Sequence, residues 1–282
     1  MYYDYFEFNE PPFNLTPNSK FFFESSKHKE ALSSLLYAIE ERKGFIVITG
    51  EIGSGKTTVS RALINKLNRN TEVALITNTH LNSKDLLLTL LEDLEIGFQP
   101  GDSKSKLLSN LNEYLLTQAH RGHNVVLIID EAQNLKPNVL EEVRMLSNLE
   151  TETDKLIQIV LIGQPELKLK LGLHQLEQLR QRVAIYFHLA PLSFEEMQEY
   201  ILHRLKVAGR GPREYFAPEA MRLVHEFSNG VPRLINQICD FALLTAYADG
   251  HTTVDEYVMR EAIGDSPMQQ LSLVKPKEIS VL

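Results

Sequence analysis

The chain of 282 residues has no tryptophan, a single cysteine and no long uninterrupted apolar run. A lone cysteine cannot form an internal disulfide. Cys239 lies in an apolar helical pattern that is typical of a small core residue, formed by Ile235, Ile238, Phe241 and Ala242. No segment approaches the ~18 to 20 apolar residues that a membrane-spanning helix needs. We therefore expect a reducing compartment and no membrane span within this chain.

An excess of positive charge is also absent. The chain has 29 Lys and Arg against 37 Asp and Glu, which gives a net charge of −8 and a pI near 5.6. This balance provides no overall attraction to nucleic acid or to an anionic membrane, although it leaves room for a local basic face. A hydrophobic content of 43% is sufficient for a buried core.

The first residues do not have the pattern of a secretory signal. Asp4, Glu7 and Glu10 interrupt them, and two prolines follow at positions 11 and 12. We therefore expect a cytoplasmic protein, with peripheral attachment to the inner membrane through a partner as the alternative.

Residues 45 to 58 contain the most informative motif. The apolar run Phe45 to Ile48 is typical of a strand buried on both faces, and it leads into Gly50-x4-Gly55-Lys56-Thr57. Apolar residues at helical spacing follow, at positions 59, 62, 63 and 67. A glycine-rich loop between a strand and a helix is the context that identifies a phosphate-binding P-loop.

The loop predicts a binding site for ATP with Mg²⁺. Its glycines allow backbone N–H groups to face the phosphates, next to the positive end of the following helix. We expect Lys56 to reach the β- and γ-phosphates and the hydroxyl of Thr57 to bind Mg²⁺. The nucleotide-binding residues predicted in the loop are Gly50, Glu51, Ile52, Gly53, Ser54, Gly55, Lys56, Thr57 and Thr58.

A second buried strand, residues 125 to 129, is followed at once by Asp130 and Glu131, as in a Walker B motif. We expect Asp130 to hold the Mg²⁺ shell through water. Glu131 is expected to accept a proton from the water that attacks the γ-phosphate. Alternatively, Asp130 and Glu131 could lie in a solvated loop. A P-loop earlier in the same chain makes the Walker B interpretation the better one.

Polar residues also follow two further predicted strands. Asn78 comes shortly after the strand 73 to 76, and Gln164 follows the strand 156 to 162. Ligand sites in parallel sheets lie beyond these ends. Gln164 could orient the attacking water, or it could be a turn residue that satisfies the local backbone.

Arg180 and Arg182 lie at a predicted junction between a helix and the strand 183 to 189. They could be cations favoured by the helix C-terminus. The alternative is an arginine finger for a neighbouring subunit, because a planar, permanently charged group suits phosphate. We slightly prefer Arg182 over Arg180 for that role.

From Pro191 onward the pattern is helical only, over roughly 193–208, 217–228, 231–248 and 254–263, with a break at 209–212. Gly230 can end one helix and Pro232 can begin the next. That places Arg233 at a helix N-terminus, where a cation is disfavoured unless an anion lies close by. We expect the γ-phosphate to be this anion, which adds Arg233 to the nucleotide-binding and catalytic residues; an ion pair with a neighbouring acid is the alternative.

Residues 1 to 24 carry nine aromatic side chains and three prolines. These rings either pack against the domain core or cover the adenine ring.

The patterns along the whole chain predict four segments. They are an aromatic arm and helix packing on the core over 1–43, a P-loop core over 44–190, a helical lid over 191–264 and a flexible tail over 265–282.

Taken together, the chain resembles the AAA+ ATPases of the secretion ExeA/GspA group, which includes pilus-biogenesis proteins of the MshM type. The resemblance extends over residues 1 to about 263. Its motifs are Tyr-Tyr-Asp-Tyr-Phe at 2–6, Pro-Pro-Phe-Asn-Leu-Thr-Pro at 11–17, Thr-Gly-Glu-Ile-Gly-Ser-Gly-Lys-Thr at 49–57, Ile-Asp-Glu-Ala-Gln at 129–133, Asn-Leu-Glu-Thr-Glu at 148–152, Leu-Ile-Gly-Gln-Pro-Glu-Leu at 161–167, Leu-Arg-Gln-Arg at 179–182 and Gly-Val-Pro-Arg-Leu-Ile-Asn at 230–236.

The resemblance implies an α/β fold, with a P-loop AAA+ core on a five-stranded parallel sheet and a C-terminal all-helical lid domain. It also implies ATP hydrolysis at the subunit interfaces of a ring or filament. By the same resemblance, Gln164 is at the sensor 1 position and Arg233 at sensor 2. Arg180 or Arg182 is the finger, and Asn78 is the switch that holds Glu131 inactive.

The ExeA type continues into a membrane span and a periplasmic peptidoglycan-binding domain, whereas this chain stops after the lid. We therefore expect neither direct peptidoglycan binding nor membrane insertion by this chain. The function that we expect is an ATP-driven switch that oligomerises and remodels a secretion or pilus-assembly complex through a protein partner.

The alternative function is an ATP-dependent DNA-binding regulator of the TniB/TnsC/MuB type. Four basic residues near the lid could form a DNA-binding face, and they are Arg204, Lys206, Arg210 and Arg213. A charge cluster of this kind is more often a solvated surface. Together with the acidic net charge, this makes DNA binding the less favoured expectation.

Overall fold

The computed structural model describes residues 2–16, 18–152, 154–209 and 213–266. The chain divides into two compact units. Residues 26–190 form one, called here the P-loop unit, and residues 1–25 together with 191–282 form the other, called the helical unit. The tail predicted from residue 265 lies outside the described residues from position 267 onward.

A parallel sheet of five strands forms the centre of the P-loop unit, in the order β2-β3-β4-β1-β5. Strands β1 and β4 are buried along their whole length, as expected for the continuous apolar runs from which they were predicted. The bounds are β1 Phe45–Gly50, β2 Thr71–Ile76, β3 Asn124–Ile129, β4 Gln158–Gly163 and β5 Val183–Leu189.

Helices cover both faces of this sheet. They are numbered along the chain: α1 Tyr2–Tyr5, which belongs to the helical unit, then α2 Ser26–Glu40, α3 Lys56–Lys66, α4 Ser83–Asp93, α5 Lys104–His120, α6 Pro137–Leu146, α7 Pro165–Leu171 and α8 Glu177–Gln181. Side chains of β1 alternate between the two faces of the sheet. Ile46 and Ile48 pack with α2 and α3 on one face. Phe45 and Val47 instead pack in the cluster that contains α4, α5 and α6.

The helical unit contains α1 and four longer helices. Ser193 starts α9 with a capping box, in which its hydroxyl accepts from the N–H of Glu196 and the Glu196 carboxylate accepts from the N–H of Ser193. Cys239 is fully buried among these helices. The bounds are α9 Phe194–Ala208, α10 Pro218–Ser228, α11 Pro232–Ala248 and α12 Glu256–Asp265.

The aromatic arm packs in the helical unit, whereas the sequence predicted that it packs on the nucleotide-binding core. Residues 1–25 belong to the helical unit, whereas α2 belongs to the P-loop unit, so the predicted segment 1–43 is divided between the two. The rings of Tyr2, Phe6, Phe8 and Phe13 are buried in one cluster with α9, α10, α11 and α12. Both faces of the sheet are already covered by helices, whereas these four helices leave apolar faces for the rings to fill.

Hydrogen bonds also fix the arm within the helical unit. The Tyr2 hydroxyl donates to the Asp240 carboxylate, and the N–H of Asn9 donates to the carbonyl of Ala208 at 2.8 Å. The Tyr215 hydroxyl donates to the carbonyl of Phe6 at 3.1 Å. The arm is thus an integral part of this unit.

No helix in the described ranges has both the length and the apolar character needed to cross a membrane.

Candidate nucleotide-binding site

The P-loop connects the last residue of β1, Gly50, to the first residue of α3, Lys56. Gly53 and Gly55 adopt φ values of 81° and 97°, in the left-handed region that glycine tolerates best. A Cβ at Gly55 would lie 2.8 Å from Nε2 of His28, and a Cβ at Gly50 would lie 2.9 Å from the carbonyl of Leu189. The loop geometry therefore requires glycine at these positions, as expected for a backbone that wraps around a phosphate.

Lys56 is almost entirely buried, with 6% of its surface exposed. Its Nζ donates to the carbonyls of Gly50 and Glu51, both at 2.8 Å. Burial lowers the pKa of Lys56, and the carboxylates of Glu131 and Asp130 partly oppose this effect. The ammonium is therefore held against the loop, at the place predicted for phosphate binding.

Thr57 and Asp130, the two residues expected to hold Mg²⁺, are in direct contact. The Thr57 hydroxyl donates to Oδ2 of Asp130 at 3.0 Å, and the N–H of Glu131 donates to Oδ1 of Asp130 at 2.9 Å. A hydroxyl and a carboxylate are hard oxygen ligands that fit Mg²⁺. Within the described ranges, no group of three or more His, Cys, Asp and Glu side chains could hold a metal ion. Phosphate and water oxygens would therefore complete the shell.

Glu131 and Gln164 come together at the ends of the adjacent strands β3 and β4. Glu131 has a left-handed backbone, with φ 52°. Its Oε2 accepts from the side-chain amide of Gln164 at 3.0 Å and from the side-chain amide of Gln133 at 2.6 Å. The general base and the sensor 1 residue predicted from the sequence are thus hydrogen-bonded to each other.

Asn78, the predicted switch residue, is exposed, and its Oδ1 accepts from the N–H of His80 at 3.2 Å. The adjacent Thr79 is buried, and its hydroxyl donates to the backbone carbonyl of Glu131 at 3.2 Å. After β2, the contact with Glu131 is therefore made by Thr79 rather than by Asn78. A switch role for Asn78 remains a proposal.

Two residues of this site, Gln133 and Lys170, were given no role by the sequence analysis, and Thr79 was placed at a strand end without a specific role. Lys170 donates from α7 to the carbonyls of Gln133 and Leu135, the latter at 2.8 Å. A signal for Gln133 existed, since it lies two residues after Glu131 in a motif already singled out. For Lys170 the sequence carries no comparable signal.

Arg180 and Arg182 lie at the end of the sheet opposite to the P-loop. Val183, the residue after Arg182, pairs with Phe45, where β1 begins, whereas the P-loop follows the last residue of β1. At about 3.3 Å per residue, the length of β1 puts ~17 Å between these two ends. The arginines are therefore not placed to serve the P-loop of their own chain.

The two arginines also differ in their surroundings. Arg182 is half-buried and donates to the Ser147 hydroxyl at 3.0 Å. Arg180 is exposed and lies 4.0 Å from the carboxylate of Glu177. Arg180 is the more accessible of the two to another molecule, in contrast to the slight preference for Arg182 drawn from the sequence.

Arg233 is exposed in the first turn of α11, as predicted. The alternative explanation for this unfavourable position was an ion pair with a neighbouring acid. In the part of the chain that the structure describes, Arg233 forms no such pair. Its role as the second phosphate sensor remains a proposal.

The less favoured DNA-binding alternative depended on four basic residues near the lid, and one of them, Arg204, is not at the surface. Arg204 is buried and donates to the carbonyls of Pro12 at 2.5 Å and Asn14 at 3.2 Å. Arg213 donates to the carbonyl of Thr252, and Arg210 lies outside the described residues. Arg204 is therefore a core residue that binds the arm, and it cannot contact DNA.

Comparison with known proteins agrees with the site. Residues 39–171 match the family model described as an AAA domain. With the five-stranded parallel sheet and the P-loop, this match defines the chain as a P-loop protein of the AAA+ class.

Within this class, the chain is similar to general secretion pathway protein A, the type that its motifs resemble. It is 43% identical over 250 residues to general secretion pathway protein A of Aeromonas hydrophila. The match covers 89% of this chain and 46% of that protein, so the chain spans about half the length of this relative.

Solved structures show the same fold at much lower identity. The ORC2 protein of Aeropyrum pernix, solved as ADPNP–ADP complexes, has a TM-score of 0.68 and 15% identity, over 95% of this chain and 75% of its own. Cdc6p of Pyrobaculum aerophilum has a TM-score of 0.69 and 18% identity, over 93% and 75%. These similarities concern the nucleotide-binding fold alone.

Proposed function

We propose that this chain binds Mg-ATP and hydrolyses it to ADP and phosphate. The observation that carries the proposal is the contact of Thr57 with Asp130, directly followed by Glu131, at the same strand ends as the P-loop and the buried Lys56. These are the groups that phosphoryl transfer needs for charge neutralisation, metal binding and activation of water.

Each side chain then has a defined task. The N–H groups of the P-loop and the Lys56 ammonium bind the phosphates. Thr57 and Asp130 would hold Mg²⁺, which neutralises charge on the phosphate oxygens when it is bound. Glu131 accepts the proton of the attacking water, and Gln164 orients that water.

A second copy of the chain completes the site in this proposal. Arg180 and Arg182 lie at the sheet end opposite to their own P-loop, so they can reach a γ-phosphate only in another subunit. The proposed active form is therefore a homo-oligomer, either a ring or a filament, and Arg233 is proposed as a further γ-phosphate ligand.

The proposed biological role is the assembly or remodelling of a secretion or type IV pilus-type complex. Its support is the 43% identity to a general secretion pathway protein. We place the protein in the cytoplasm, with attachment at the inner membrane through a protein partner. A DNA-binding role has less support, because Arg204 is buried and the net charge is −8.

Two substitutions test the enzymatic proposal. We expect Lys56→Ala to lose nucleotide binding by at least about tenfold. Glu131→Gln should bind ATP with unchanged affinity and lower turnover by about 100-fold or more. Binding of a fluorescent ATP analogue and release of phosphate, both with Mg²⁺ and over a range of protein concentrations, provide the measurements.

Matched controls are Lys66→Ala, at the other end of α3, and Glu95→Gln, in a turn after α4. Both should resemble the wild type. Equal turnover in Glu131→Gln and wild type would remove Glu131 from its role as general base.

A further inference from the structure

Gln133 joins the two catalytic segments of the site through one side chain. Its Nε2 donates to Oε2 of Glu131 at 2.6 Å, and its Oε1 accepts from the backbone N–H of Gln164 at 3.0 Å. It therefore connects the end of β3, which carries Glu131, to the end of β4, which carries Gln164.

The side chain of Gln133 has a restricted place. A Cβ at Gly163 would lie 2.8 Å from Oε1 of Gln133, so the amide fits closely over the last residue of β4. Its backbone is fixed as well, since Nζ of Lys170 donates to the carbonyls of Gln133 and Leu135. The backbone and the side-chain amide of Gln133 are therefore both held in place. Gln133 can thus hold the Glu131 carboxylate in a defined orientation.

Glu131 depends on amide donors for the orientation of its carboxylate. Gln133 and Gln164 both donate to Oε2, and Oε1 takes no hydrogen bond from any residue in the described ranges. One oxygen is thus held in place while the other is available to the attacking water. A hydrogen bond to an ionised oxygen is about twice as strong as a neutral one, so this arrangement favours one carboxylate orientation.

We propose that Gln133 is the positioning residue that keeps the Glu131 carboxylate aligned for catalysis. This inference depends on the proposed function, because it assigns Glu131 as the general base. In that proposal Gln164 orients the attacking water. Gln133 donates to Oε2 of Glu131 and at the same time accepts from the backbone N–H of Gln164, so it fixes both groups relative to each other.

The test compares three variants under single-turnover conditions with excess protein and Mg-ATP. Gln133→Leu removes both hydrogen bonds at nearly constant volume. Gln133→Glu keeps an acceptor for the N–H of Gln164 but loses the donor to Glu131. The matched control is Asn134→Leu, an exposed neighbour in the same 3₁₀ turn.

We expect both Gln133 variants to hydrolyse ATP at least tenfold more slowly than the wild type. Their dissociation constants for a fluorescent ATP analogue, and their melting temperatures, should stay close to those of the control. A role in structure alone would instead lower stability and nucleotide affinity along with the rate.

A double-mutant cycle separates action through Glu131 from a general effect. If Gln133 acts by positioning this carboxylate, Gln133→Leu should not slow the Glu131→Gln protein by more than about twofold. An undiminished tenfold loss in that background would overturn the inference, as would a Gln133→Leu protein with wild-type turnover.

The inference and the proposed function fail in different ways. A wild-type protein that binds Mg-ATP without hydrolysing it, at any protein concentration tested, would overturn the proposed function itself. Turnover that is lost in Glu131→Gln but retained in both Gln133 variants would overturn only the role of Gln133.

Discussion

At the scale of single residues, the main feature of the site is the buried lysine of the P-loop. Lys56 is 6% exposed, and its ammonium donates to two loop carbonyls. Burial lowers its pKa, so the charged form is less favoured here than in a lysine on the surface. A bound phosphate has the opposite effect, because an anion close to the ammonium favours the charged form.

Because burial lowers the Lys56 pKa and a bound phosphate raises it, ATP binding should depend on pH. The Lys56 pKa is higher in the complex than in the free protein, so affinity is complete below the free-protein pKa. It then falls by at most about tenfold per pH unit as pH rises toward the pKa of the complex. We expect the decline to begin at a lower pH than an ordinary lysine would allow. The measurement is the dissociation constant of a fluorescent ATP analogue between pH 7 and pH 10.

The control for this titration is Lys56→Arg, whose guanidinium remains charged over the whole range. Its affinity should be nearly independent of pH. A wild-type profile as flat as that of the arginine variant would contradict the assignment.

The catalytic residues could be predicted from the sequence to the extent that they are contiguous in a motif. Asp130 and Glu131 follow a buried strand directly, whereas Lys56 and Thr57 follow the glycine-rich loop after one. The chemistry of phosphate and Mg²⁺ restricts the roles of all four. The contact of Thr79 with Glu131 could not be predicted, because it depends on the left-handed turn at Glu131. Neighbours of this kind are determined by backbone angles that residue types do not reveal.

At the scale of elements, Arg204 of α9 organises the packing of the arm in the helical unit. It donates to the carbonyls of Pro12 and Asn14, and its guanidinium lies 4.9 Å from the centre of the Phe21 ring. It also donates to the Tyr200 hydroxyl at 2.9 Å. A single planar cation thus satisfies arm carbonyls in a buried place that water does not reach.

We expect Arg204→Met to destabilise the protein by about 2–4 kcal/mol, because the carbonyls of the arm lose their donors in a buried place. Arg204→Lys should recover little of the lost stability, since one ammonium cannot replace a planar group that binds two carbonyls and stacks on rings. Urea unfolding gives the energies, and limited proteolysis reports release of the arm.

The exposed Lys206 lies on the same helix, so Lys206→Met serves as the control. Equal stability of Arg204→Met and this control would show that the arm does not depend on Arg204.

The elements themselves could be predicted well where apolar periodicity is strong, as in β1, β3, α9 and α11. The position of the arm could not. Nine aromatic rings require burial, but their sequence does not say against which surface. Arg204 was misread for a related reason: a charged residue in a basic cluster suggests a surface, and only its carbonyl partners, about 190 positions away, explain its burial.

At the scale of the whole molecule, one chain carries its P-loop and the proposed arginine finger at opposite ends of one sheet. The P-loop follows the last residue of β1, and the pair Arg180 and Arg182 precedes β5. In the proposed function, the site is completed only when chains associate head to tail.

Mixing two inactive proteins tests this arrangement. A chain with Arg180→Ala and Arg182→Ala retains its P-loop, and a Lys56→Ala chain retains its arginines. We expect turnover in the mixture to exceed the sum of the separate activities several-fold, because each productive interface combines the intact halves. Single arginine variants then show which of the two acts in trans.

Arg69→Ala, an exposed arginine before β2, is the control and should behave like the wild type. Absence of any gain in the mixture, at concentrations where the variants form mixed oligomers, would rule out action in trans.

The division of the helical unit between residues 1–25 and 191–266 has a consequence for biosynthesis. The P-loop unit can fold as soon as residue 190 has left the ribosome, but the arm must wait for the helices that receive its rings. About 240 residues lie between the arm and the end of α12. At ~5 to 20 residues per second, this delay is roughly 12 to 48 s. During that time nine aromatic side chains remain exposed on the nascent chain, which makes the arm a natural binding site for chaperones.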